Sequence, residues 1–158
     1  MNNSILLADD DAAVRRFVGG ALMTEGYDVV TARTARQACH AFQHQSPDLV
    51  LLDVNLPDTD MNLPVKDGWD AFQVMNQMRR WVPIIIITGM PSQFVHASRL
   101  GAAGLMEKPL DLLLLFQTVK RMLDKSKLEM AELQMEKFYD EVPHSSAPCI
   151  LLEPESNR

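Results

Sequence analysis

Cysteine is scarce. Cys39 and Cys149 are the whole supply, and their wide separation fits neither a zinc ligand set nor the disulfide framework of a small secreted domain. Long apolar runs are also missing. None approaches the ~18–20 residues needed to cross a bilayer, so no membrane partner is expected. The N-terminus offers only "ILLA" before "DDD", with no basic segment ahead of it, which excludes a secretory signal. Positive charge is in deficit, with 15 Lys+Arg against 21 Asp+Glu and a formal charge of −6. That balance, without any basic tract, argues against direct contact with nucleic acid or an anionic membrane. Together these absences predict a cytoplasmic chain with reduced thiols.

What is present is ordinary globular material. The 158 residues have a 47% apolar share, too high for global disorder, and they suffice for one domain with something left over. Short apolar runs alternate with amphipathic segments. "SILLA" (4–8), "DVVTA" (28–32), "DLVLLD" (48–53), "PIIIIT" (83–88) and "AGLME" (103–107) are the strand candidates. Nearly continuous apolar runs mark strands buried on both faces, as in a parallel sheet covered by helices. Helical spacing fills the intervals. Val14, Phe17, Val18, Ala21 and Leu22 share the core face of a first helix that Gly26 stops. Thr34 caps a second, which buries Ala35, Ala38, Ala41 and Phe42. A third buries Phe72, Met75 and Met78, a fourth runs between Pro91 and Gly101, and a fifth opens after Pro109. The pattern predicts an α/β, flavodoxin-like doubly wound sheet of five parallel strands, order 2-1-3-4-5, with five helices.

Right-handed crossovers put the C-terminal end of every strand on one edge, where such folds bind ligands. Asp9, Asp10 and Asp11 follow the first strand and Asp53 ends the third. Thr88 ends the fourth, and Lys108 follows the fifth. Two carboxylates ~4 Å apart repel by about 4 kcal/mol at an effective dielectric near 20. Such a cluster needs a cation or a shared proton. Hard oxygen ligands in an incomplete cage favour Mg²⁺ (or Mn²⁺). Asp53, deprotonated beside the metal, suits a carboxylate nucleophile that forms an aspartyl phosphate. The Lys108 ammonium and the Thr88 hydroxyl would then meet oxygens of the phosphoryl group.

The blocks "ILLADDD", "LVLLDVNLP…DG", "IIIITGM" and "MEKPL" resemble the receiver domain of two-component response regulators, over about residues 4–123. The resemblance implies that Asp53 is the phosphoacceptor and that Asp9, Asp10, Asp53 and the Asn55 backbone carbonyl hold the metal. It makes Thr88 the switch hydroxyl and Lys108 the family's lysine, followed by a cis bond to Pro109. Asn55 and Met90 become neighbours that modulate phosphate lifetime. Asp11 is expected to cap the first helix rather than bind metal. The implied function is a phosphorylation-dependent signalling switch, not an enzyme, although it would catalyse its own phosphorylation and dephosphorylation. The phosphoryl donor would be the phosphohistidine of a sensor histidine kinase or a histidine phosphotransfer protein. The output would be an altered contact with a downstream protein.

Two departures from the family pattern stand out. The stretch from Asp53 to Gly68 exceeds the family's spacing by about seven residues, an insertion within 57–67 that falls in "PDTDMNLPVK". It reads either as a surface loop, since loops lengthen cheaply, or as a gate that brings Asp58 and Asp60 to the site. Leu105 stands where the family usually carries Tyr or Phe. It has no hydroxyl and buries less area, so its effect falls on the conformational change rather than on phosphorylation.

Residues 1–124 read as the receiver domain and 125–158 as a helical extension and flexible tail. No proline or glycine interrupts Asp111 to Tyr139, where Leu128, Ala131, Met135 and Phe138 recur at helical spacing. The fifth helix is expected to continue as a lever, a homodimer seam or a packed-back helix, and "CILLE" could add to a sheet edge. His40 and His44 read as a solvated pair, His96 and His144 as structural or exposed, and Trp69 and Trp81 as packing residues. Two other functions fit the residues less well. A degenerate, phosphorylation-independent binding module fits poorly with the intact Asp9, Asp10, Asp53, Thr88 and Lys108. A phosphatase of the haloacid dehalogenase type needs a second acid two residues after its nucleophile, where this chain has Asn55.

Overall fold

The computed structural model describes residues 2–57 and 65–141, with side chains described as far as residue 135. The expectations for most of the 57–67 insertion, for His144 and for "CILLE" lie outside the described residues. Five strands, β1 (Ser4–Ala8), β2 (Asp28–Ala32), β3 (Leu49–Asp53), β4 (Ile84–Thr88) and β5 (Gly104–Glu107), alternate with five helices. The helices are α1 (Ala12–Thr24), α2 (Ala35–Gln45), α3 (Gly68–Met78), α4 (Phe94–Leu100) and α5 (Leu112–Glu141). The sheet is parallel throughout in the order β2-β1-β3-β4-β5, as the apolar runs predict.

Period-two alternation divides each central strand between two core layers. Leu6, Val50, Leu52 and Ile86 pack on one face with Phe42 of α2 and Phe72 and Met75 of α3. Ile5, Leu7, Leu51 and Ile85 pack on the other with Leu22 of α1 and Leu115 and Val119 of α5. Each such fully buried side chain contributes roughly 1.5–3 kcal/mol of transfer free energy. This is why β3 and β4, buried from end to end, hold rigidly whatever they carry at their C-terminal ends.

Two apolar residues expected in the core are outside it: Phe17 is 63% exposed and Met78 44%. The buried arc of α1 centres on Val18, Gly19 and Leu22, and a step of about 100° places Phe17 beyond its edge. Met78 is the last residue of α3, where the helix has run past the sheet. The capping expectations fare better. Asp11 accepts the Ala13 N–H at 2.8 Å and Thr34 the Gln37 N–H at 3.1 Å. Gly101 closes α4 at φ 87°, a left-handed conformation that glycine adopts without cost.

α5 is 30 residues long, about 45 Å at 1.5 Å per residue. Its first half packs on the sheet through Leu115, Val119 and Leu123. Farther along, Ser126 Oγ donates to the Trp81 carbonyl at 2.9 Å, and Leu128, Leu133 and Met135 are exposed. Among the described residues no helix is long and apolar enough to cross a membrane.

Candidate functional site

The C-terminal edge of the sheet gathers Asp9, Asp10, Asp53, Thr88 and Lys108 from two loops and two strand ends. Asp53 closes β3 and is only 2% exposed. Its Oδ1 accepts the Asn55 N–H at 2.8 Å and its Oδ2 accepts the Lys108 ammonium at 2.7 Å. The same ammonium lies 2.7 Å from Asp9 Oδ2, so one cation bridges two buried carboxylates. The Lys108 N–H in turn donates to the Thr88 carbonyl at 2.8 Å, fixing the start of the lysine side chain to the end of β4. The Lys108-Pro109 bond is cis.

Asp9 is fully buried, and its Oδ1 accepts the Asp11 N–H at 2.9 Å. Its Oδ2 accepts no aligned hydrogen bond and has the Lys108 charge as its compensation. Burial pushes the Asp9 carboxyl above the usual carboxylate range, and the nearby Asp53 charge adds to this; Lys108 and the Asp11 N–H only partly offset it. Burial pulls the Lys108 ammonium down, but its hydrogen bond to Asp53 and its close charged contacts with Asp53 and Asp9 outweigh that and hold it above the ordinary lysine value. Asp10, beside this pair, is exposed.

Oxygen atoms of Asp9, Asp10 and Asp53 lie within 4.8 Å of one another. A buried carboxylate oxygen short of a hydrogen bond, an exposed second carboxylate and a third at a strand end make a donor set of hard oxygens open on one side. That set fits an octahedral divalent cation that keeps some of its waters.

Thr88 is fully buried. Its Oγ1 accepts the Met90 N–H at 3.0 Å and lies 3.4 Å from the Met90 carbonyl, so the hydroxyl is engaged with the loop that leads to α4. Asn55 and Met90 are both exposed at the rim. Leu105, paired in register with Ile86, is half-buried and packs against the α2–α3 core layer together with Leu100 and Ala102.

Two features of the site leave little trace in the sequence. Arg15, one turn into α1, donates through Nη1 to the Asp9 carbonyl at 2.7 Å and the Asp10 carbonyl at 2.9 Å. The only sequence signal for it is a basic residue one turn after an acidic cluster. Gly68, recognisable as a turn residue, does more than turn. A Cβ there would fall on the Asp53 carbonyl oxygen and within 2.5 Å of the Val54 Cα, so α3 begins in contact with the backbone that carries Asp53. The other flagged residues stand apart. His40 and His44 are exposed with rings 4.3 Å apart, and the exposed His96 meets the edge of Trp69 at 4.5 Å.

Comparison with known proteins agrees with this layout. The response regulator receiver domain model matches residues 5–120. The alkaline phosphatase synthesis transcriptional regulatory protein PhoP of Bacillus subtilis is 30% identical over 85% of this chain, and the regulatory protein AtoC of Escherichia coli 33% over 70%. The chain spans about half of the first of these relatives (54%) and about a quarter of the second (23%). Among solved structures, a CheY-like receiver domain protein from Methanospirillum hungatei superposes with a TM-score of 0.74 at 27% identity, covering 82% of this chain and 99% of that one. NtrX from Brucella abortus superposes with a TM-score of 0.76 at 31% identity, covering 87% and 31%. On this fold, this site edge and these matches, the chain belongs to the receiver-domain family of two-component response regulators.

Proposed function

We propose that Asp53 accepts a phosphoryl group from the phosphohistidine of a sensor histidine kinase or a histidine phosphotransfer protein, and that the resulting acyl phosphate alters contacts with a downstream protein. The observation that carries this reading is the setting of Asp53. It is a strand-end carboxylate bridged by Lys108 to a buried acid that is itself short of a hydrogen bond. A carboxylate oxygen of Asp53 attacks phosphorus, the P–N bond breaks, and its electron pair returns to the histidine ring nitrogen. Reversal to the resting state uses water: its oxygen attacks phosphorus and the Asp53 carboxylate leaves. Both steps belong to the chain's own switch cycle, so the protein acts as a switch and not as an enzyme on an external substrate.

Asp9, Asp10, Asp53 and the Asn55 carbonyl would hold Mg²⁺ or Mn²⁺, which supplies charge neutralisation of the phosphoryl oxygens when bound. Lys108 orients the Asp53 carboxylate before transfer and neutralises a phosphoryl oxygen after it. Thr88 would leave Met90 to donate its hydroxyl to the phosphoryl group, carrying the β4–α4 loop with it. Asn55 and Met90, exposed at the rim, govern water access and so the lifetime of the phosphate. Leu105, already packed inward, has less to move than a ring would, so the rearrangement passes mainly through the Thr88–Met90 loop. Residues 1–124 form the receiver unit in this reading, and 125–158 a C-terminal helical extension and tail.

The test is intact mass after incubation with acetyl phosphate. A single phosphoryl adduct is expected only when Mg²⁺ and Asp53 are both present, and none for Asp53→Asn. An adduct that survives Asp53→Asn would move the acceptor elsewhere. No adduct, either from acetyl phosphate or from a phosphohistidine donor, would leave a phosphorylation-independent binding module as the function.

A further inference from the structure

Away from the acidic edge, α2 carries a second set of metal-ligating side chains. His40 and His44 are both exposed and stand four residues apart, a spacing that sets side chains one above the other on a helix. Their ring centroids are 4.3 Å apart, with the planes tilted by 48°. Two exposed imidazoles with room to point apart therefore lie together. A metal ion ~2.0–2.1 Å from each of two nitrogens needs those nitrogens roughly 3.4 Å apart at a tetrahedral angle. Rings this close reach that separation by small side-chain rotations. No Asp or Glu lies on α2 to compete for the pair. The helix beneath is firmly held. Ala38 and Phe42 are fully buried on its core side, and Arg79 donates to the Gln43 carbonyl at 3.0 Å with its guanidinium 4.9 Å over the Phe42 ring.

We propose that His40 and His44 chelate a borderline divalent transition metal, Zn²⁺ or Cu²⁺, through one nitrogen of each ring, with water in the remaining positions. Imidazole favours these ions, whereas Mg²⁺ takes oxygen, so this pair and the acidic cluster at Asp53 select different metals. Two features limit the affinity. Among the described residues no third His, Cys, Asp or Glu completes the pair. Arg36, one turn before His40, and Arg79, bonded to the Gln43 carbonyl, bring positive charge to the same helix. Binding is therefore well below that of a four-ligand structural centre. The metal clips together the last two turns of α2, the stretch that delivers Phe42 to the core and ends at Ser46 in a left-handed conformation, φ 47°. A ligand of the folded state alone stabilises that state. The site is independent of the phosphoryl chemistry at Asp53.

The experiment titrates Zn²⁺ by calorimetry, and Cu²⁺ by electron paramagnetic resonance, into the full chain in excess Mg²⁺. Both histidines are exposed and glutamine is a good helix former, so folding is not at stake in the variants. The Cu²⁺ spectrum should show coupling to two nitrogens in the parent chain and to one in His40→Gln or His44→Gln. Each substitution should weaken Zn²⁺ binding about tenfold or more, because the second bond of a chelate forms within one molecule. His44→Gln combined with Gln45→His keeps the number of imidazoles but moves one off the shared face, and it should not restore affinity. Zn²⁺ should raise the urea midpoint of the parent chain and leave that of either single variant unchanged. Zn²⁺ affinity that neither substitution lowers, or that the shifted ring restores in full, overturns the proposal and leaves an adventitious ion only. So does a two-nitrogen spectrum that survives both substitutions together, which would assign the metal to other groups of the chain.

Discussion

Arg15 reaches back from α1 to two carbonyls of the acidic turn, and its guanidinium fixes the backbone on which Asp9 and Asp10 stand. Groups that orient ligands in this way typically matter by ~10–100-fold in metal affinity. Removing a positive charge favours a cation, so the net effect belongs at the lower end. Arg15→Gln should weaken Mg²⁺ binding about tenfold by calorimetry; an unchanged or tighter affinity would reduce Arg15 to a helix-surface contact. Lys108 is the complementary case. Deleting the cation between two buried carboxylates would cost about 3–5 kcal/mol in a dry interior, and its one-quarter exposure lowers that to about 2 kcal/mol. Lys108→Met should therefore unfold at lower urea than the parent chain. Millimolar Mg²⁺ should recover part of the loss, because a ligand of the folded state alone stabilises it.

At the scale of elements, the contact between α3 and the end of β3 is the most exacting. Gly68→Ala would drive a methyl group into the Asp53 carbonyl and the Val54 Cα. Backbone cannot yield there as a side chain would, so the substitution should cost about 1–3 kcal/mol or more. Equilibrium urea unfolding measures this, and a change below about 0.5 kcal/mol would mean that α3 can slide away freely. The central strands β1, β3 and β4 were legible in the sequence because burial on both faces leaves an unbroken apolar run, and the partly exposed β2 and β5 were legible by their length and spacing. Each of the five expected strands is found within one residue of its range. Helix faces were less legible: Phe17 and Met78 fit the apolar spacing yet sit at the margin of an arc or past the end of a sheet, and sequence periodicity records neither. The convergence of Asp9, Asp10, Asp53, Thr88 and Lys108 on one edge was legible only by way of the fold. The single ammonium shared by Asp9 and Asp53, and the oxygen left without an aligned donor, depend on ångström-scale placement that no spacing encodes.

For the whole molecule, two groups set an alkaline limit to stability. The Lys108 pKa is raised because Asp53 and Asp9 outweigh its burial. Its contribution is fully present below the ordinary lysine value of about 10.4 and is lost as pH rises through the folded value. Burial, with Glu25 and Asp124 nearby, raises the Tyr27 hydroxyl as well. The unfolded chain therefore releases that proton first, above about pH 10, with the same sign. The urea midpoint should hold up to about pH 10 and fall above it, and Tyr27→Phe should remove part of that fall. A flat midpoint over that range would contradict both shifts.

The bond between Ser126 and Trp81 divides α5 into spans of nearly equal length, roughly 21 Å toward Leu112 and 22 Å toward Glu141 at 1.5 Å per residue. The near span is clamped in the core by Leu115, Val119 and Leu123, whereas Leu128, Leu133 and Met135 of the far span are exposed. A rod clamped along one half and loose along the other behaves as a cantilever. A load on the far end of α5 would be felt as torque at the clamp, beside the loop that carries Lys108.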